Sequence, residues 1–137
     1  MPRITNWPAA LDQYIDRSKY IPFKWGENDC IMFACAGINA ITGKNPSAPW
    51  LGNYTTALGA ARIFKQYGGF EDMIATIASE HGYNERPVAL AQRGDLMLHD
   101  NKWPSAGICV GRLSAFVSRD SLLFVKTADC RRVWMIN

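Results

Sequence analysis

The sequence predicts an α+β domain in which helices come first and a curled antiparallel sheet follows. Three observations predict it. Apolar residues recur with helical spacing as far as about residue 80. Residues 31–41 are apolar nearly all round, as suits a helix at the centre of a fold. Past Pro87 the pattern switches to short apolar or alternating runs punctuated by Gly, Asp, Asn and Ser. A chain of 137 residues, 48% hydrophobic and 20% charged, has the length and composition for one domain with a real core. The expected layout is a single domain, 1–137, with an N-terminal helix (1–20), a helical part (21–86) and a sheet part (87–137).

Each element has a local reason. Trp7, Leu11, Tyr14 and Ile15 fall on one helical face, with Asn6 as a capping side chain and Pro8 as a helix-starting ring. The buried central helix is expected from about Asp29 to Ile41, ending at Thr42-Gly43, where glycine takes the left-handed stop conformation. Pro46, Pro49, Gly52 and Asn53 mark a loop around Trp50. Thr55 or Thr56 caps a third helix that reaches Tyr67 and stops at Gly68-Gly69. Phe70, Ile74, Ile77 and Ala78 form the stripe of a fourth, ending near Gly82. The sheet is expected as a meander of about five strands, at 96–99, 106–110, 115–117, 122–125 and 133–136.

Charge and cysteine usage narrow the function classes. The net charge is +3, the basic residues are scattered, and only Arg131-Arg132 are adjacent, so no basic stripe tracks a nucleic-acid backbone. The N-terminal residues lack the apolar core of a secretory signal, and no stretch approaches a membrane span; synthesis in the cytoplasm is expected. Cys30, Cys35, Cys109 and Cys130 contain no Cys-x-x-Cys pair, and His81 and His99 are far apart in the chain, so neither a metal nor a cofactor is expected. Cys35 and Cys109 read as small core residues.

The run Trp25-Gly26-Glu27-Asn28-Asp29-Cys30 carries the chemistry. It sets a thiol at the start of a helix, where the dipole and the unpaired N–H groups of the first turn favour a thiolate. Asp29 reads first as the cap of that helix, with Asn28 as its competitor. Trp50 and Trp103 are expected in proline-containing loops, where an aromatic side chain suits contact with a partner.

Asp29-Cys30 opening a buried helix, Gly94-Asp95-Leu96 opening a strand, and Gly107-Ile108-Cys109-Val110-Gly111 on the next strand follow one another in order. Together they resemble the NlpC-type cysteine peptidases, a papain-like family that cleaves peptides of bacterial cell walls. The wider pattern adds Gly52-Asn53-Tyr54, Gly68-Gly69 and Cys130 to Trp134. It is similar to a group of small phage tail-tip or baseplate proteins that share the peptidase fold. The resemblance implies a place in the virion, after synthesis in the host cytoplasm, beside hub or distal tail proteins.

One departure decides between activities. The resemblance puts Ser105 where the peptidases carry their histidine base, and Ser118 near the third, orienting position. A thiol hydrolase needs an imidazole to take the thiol's proton and return one to the leaving amine; a serine hydroxyl does neither. The expected function is therefore a structural tail component with a degenerate peptidase fold. The alternative is an active hydrolase of peptidoglycan stem peptides, with Cys30 as nucleophile and His99, on the preceding strand, as an unconventional base. A third reading keeps the cleft to hold a peptide or glycan uncut.

Overall fold

The computed structural model describes residues 2–50 and 52–137, with Asn101 by its backbone only. Four helices come first: α1 (Trp7–Ser18), α2 (Cys30–Thr42), α3 (Ala57–Gln66) and α4 (Phe70–Glu80). Six strands follow: β1 (Glu85–Arg86), β2 (Leu96–Asn101), β3 (Trp103–Cys109), β4 (Leu113–Val117), β5 (Leu122–Lys126) and β6 (Arg132–Trp134). They form one antiparallel sheet in the order β1-β6-β2-β3-β4-β5. The α+β class is as expected.

The sheet corrects three details. It has six described strands rather than about five, because β1 lies in the part read as helical and is too short to show a period. The last strand does not extend the meander past β5. β6 returns to the far edge of β2, Leu96↔Trp134 and Met97↔Val133, and β1 covers its outer side. Trp103 and Pro104 belong to β3 rather than to a loop.

The helices start and stop for local reasons. The Asp29 carboxylate accepts the Met32 N–H at 2.9 Å, and Gly43 takes φ 81° after the last turn of α2. Asn28 does not compete for that cap; its amide ties Ile21 and Pro22 instead. Thr56, not Thr55, caps α3 through the Gly59 N–H. Asn6 makes no capping bond, so α1 rests on the proline in its first turn and on its buried face.

α2 is the centre of the fold. Ile31, Phe33, Ala34, Ile38 and Ile41 are all buried, each large side chain contributing roughly 1.5–3 kcal/mol. The helix lies between α1 and the sheet, and Gly37 permits this: a Cβ there would stand 3.0 Å from Ile108 and 3.2 Å from Tyr14. Strand alternation then divides the sheet's two faces. Leu96, Leu98, Ala106 and Ile108 join the main core. Met97, Cys109, Phe116, Cys130 and Val133 form a smaller cluster behind.

Two features brace this frame. Asp95, fully buried at the start of β2, accepts the Gln92 N–H, the Ile136 N–H and the Arg3 guanidinium at 3.0 Å. Arg3 also donates to the Ile136 and Arg93 carbonyls and lies 4.2 Å over the Trp7 ring. At the other end of β2, Glu71 of α4 accepts from Arg131 at 2.6 Å and Arg132 at 2.7 Å. Those two guanidinium groups hold its carboxyl down at about 2. A carboxyl depressed on folding stabilises the fold above its unfolded pKa, about 4.3, and the contribution is lost as pH falls toward 2. Thermal melts should therefore drop more steeply from pH 4.5 to 2 in the parent protein than in Glu71→Gln. Equal slopes would show that this ion pair does not contribute.

Candidate functional site

The site lies where β3 and β4 part. They pair at Ile108↔Ala115 and Cys109↔Ser114 and no further toward the β2–β3 hairpin. Cys109 turns its N–H to Asp95 on the β2 side, so Ile108 and Ala106 direct theirs the other way. β4 does not pair with Ala106, and the Ala106 N–H lies close enough to the Cys30 sulfur to favour its ionised form. Cys30 thus lies beside the point where the two strands part. Gly107 allows the close approach just before the strands separate, since a Cβ there would stand 2.3 Å from the Ala115 carbonyl oxygen.

The first turn of α2 is held by a buried carboxylate with three donors. Asp29 accepts the Met32 N–H, the Gly26 N–H at 2.9 Å and the Tyr54 hydroxyl. Its role as a cap is as read from the sequence. Tyr54 had no assigned role there; the signal was the Gly52-Asn53-Tyr54 motif. Gly26 has φ 80°, and a Cβ would fall 1.9 Å from the Tyr54 carbonyl oxygen. The Trp-Gly-x-x-Asp-Cys run and the Gly-x-Tyr run are two halves of one turn.

Two influences oppose each other at the thiol expected to ionise. The N–H groups of Ala106, Ile31 and Cys30 do favour a negative sulfur, but burial outweighs them and Asp29 adds to it. The thiol is pushed up to about 12. Cys35 is pushed up to about 12 as well, mainly by burial. All four cysteines are free thiols, and Cys130 sits in the rear cluster, across the sheet from Cys30.

Around Cys30 opens a crevice of about 800 Å³. His99, Ser105 and Ser118 all line it with Cys30. His99 lies opposite Ser105 in the β2–β3 register. It shares the phase of Met97, and its ring packs 5.6 Å from Phe116, on the rear side of the sheet. Its Nδ1 is buried with no hydrogen-bond partner, so that nitrogen makes no hydrogen bond to the thiol. The Ser118 hydroxyl donates to the Ser121 carbonyl at 2.7 Å within the turn before β5. His81 is bound to the Ile77 carbonyl at the end of α4, away from the crevice.

The two tryptophans separate. Trp103 is 70% exposed where it lines the crevice. Trp50 is half-buried, with its ring edge-on to Tyr67 at 6.0 Å, and serves packing. Among the described residues no three His, Cys, Asp or Glu side chains gather as a metal site, and no helix is long and apolar enough to cross a membrane.

No curated protein matches this sequence. A family model spans residues 2–136, nearly the whole of the fold described above, and the chain belongs to that family, the domain of unknown function DUF6950.

Proposed function

We propose that this protein is a structural component of a bacteriophage tail tip or baseplate, built on an NlpC-like fold that no longer performs proton transfer. One observation supports the loss of chemistry: Cys30 shares its crevice with Ser105, the residue that the resemblance sets at the base position, while the Nδ1 of His99, the crevice's one imidazole, has no hydrogen-bond partner; burial pushes the thiol up to about 12. At neutral pH a thiol so placed is protonated, and the buried Asp29 is occupied by three donors. The tail assignment is supported by the order of the Asp29-Cys30, Gly94-Asp95 and Cys130 to Trp134 motifs. It implies residence in the virion beside hub or distal tail proteins.

Two measurements test it. Iodoacetamide should label Cys30 in the folded protein far more slowly than a free thiol at pH 7, with no plateau below pH 9. Coexpression with tail hub and distal tail proteins should give a complex that survives gel filtration. Failure to co-assemble with any of them would overturn the structural role. The competing reading, a peptidoglycan hydrolase, is favoured by one observation: His99 lines the same crevice with an unpaired Nδ1. Cell-wall cleavage abolished by both Cys30→Ser and His99→Ala would establish it instead.

A further inference from the structure

We propose that the crevice beside Cys30 is a docking site for a segment of a partner protein in which an aromatic side chain is followed by an acidic one. This rests on the reading that the crevice holds its occupant without cutting it. The walls supply the first half of the argument. Phe23, Trp25, Phe64, Phe70 and Phe116 line the cavity, which at about 800 Å³ has the size of sites that enclose a ligand. An entering ring meets other rings edge-on or offset, the geometry aromatic pairs favour. Phe23 and Trp25 already pack that way, 4.7 Å apart and near perpendicular.

Charge supplies the second half. Besides His99, the crevice is lined by three charged side chains: Asp29, Lys102 and Arg119. Asp29 is buried and bonded to the Gly26 and Met32 N–H groups and the Tyr54 hydroxyl, so it offers nothing to a ligand. Lys102 and Arg119 are exposed, and among the described residues neither makes an ion pair. The unbalanced charge of the crevice is therefore positive, and its complement is a carboxylate. An aromatic anchor with a carboxylate beside it matches both features.

The backbone adds a way to hold an extended chain. Where β3 and β4 part, alternation turns the Ala106 carbonyl and the Val117 N–H and carbonyl toward the gap. These are groups a peptide pairs with when it adds to a sheet edge.

The test uses the blocked peptide Ala-Phe-Asp-Ala and its Asn counterpart, Ala-Phe-Asn-Ala, titrated into labelled protein and followed by amide and indole resonances. Saturable shifts at Trp25, Trp103 and Phe116 are expected, with the Asn peptide about tenfold weaker at low salt. Lys102→Ala and Arg119→Ala should each weaken the Asp peptide about threefold or more. Ala61→Trp, at an exposed helix position on the crevice wall, should abolish binding while leaving the melting curve intact. No shifts at millimolar peptide, equal binding of the two peptides, or shifts confined to another surface would each overturn the proposal. Mass spectrometry of the recovered peptide separates the two ideas. Intact peptide supports both, whereas bound and cleaved peptide keeps the docking site and removes the non-hydrolytic reading.

Discussion

Asp95→Ala is expected to cost about 3–5 kcal/mol, because it strands the Arg3 guanidinium and two main-chain N–H groups around a buried site. The carboxylate is fully buried, and burial lifts its pKa above the ordinary range despite the bonds it accepts. Ionised Asp95 is thus tolerated rather than favoured for its charge. Removing one partner leaves the other's desolvation uncompensated, and that is where the cost arises. Urea unfolding should show the midpoint falling sharply in Asp95→Ala and in Arg3→Met. The double variant Arg3→Met, Asp95→Leu should be less destabilised than the sum of the two singles. Additive losses would mean the two side chains act independently.

Gly26→Ala is the second large effect. Gly26 and Gly43 have nearly the same left-handed φ, 80° and 81°. Their surroundings differ: nothing lies within 4 Å of a Cβ at Gly43, whereas one at Gly26 would fall 1.9 Å from the Tyr54 carbonyl oxygen. Gly43→Ala should therefore cost only the left-handed penalty, about 1–2 kcal/mol. Gly26→Ala must also push the loop around Tyr54 away, releasing the Tyr54 hydroxyl from Asp29 and the Gly52 N–H from the Gly26 carbonyl. About 3–5 kcal/mol is expected, a large part of a typical domain's stability. Thermal melts of the two variants side by side check it; equal losses would show that the clash relaxes freely.

The helices were legible because each carries its period and its punctuation. α2 is apolar enough to be read as the core, and Gly43 stops it where expected. β6 was legible as a strand but not in place: its apolar run says nothing of which edge it joins, and the pairing depends on β2 being free on that side. β1 has too few residues for any pattern. At the site, the sequence located Cys30, His99, Ser105 and the Asp29 cap, and all four line or border one crevice. It showed the helix start that favours ionisation at Cys30 but not the burial that opposes it. Burial depends on how the chain packs around the first turn of α2, which no local motif reports.

The clasp around Asp95 sets the polarity of the whole molecule. Arg3 and Ile136 meet at the start of β2, while the crevice opens near that strand's far end, about 17 Å along it. Circular permutation with a short linker across this junction should preserve the core. A neighbour fused before Arg3 or after Ile136 would leave from the pole opposite the crevice. A bulky group attached to Arg3 would then leave the crevice lining free.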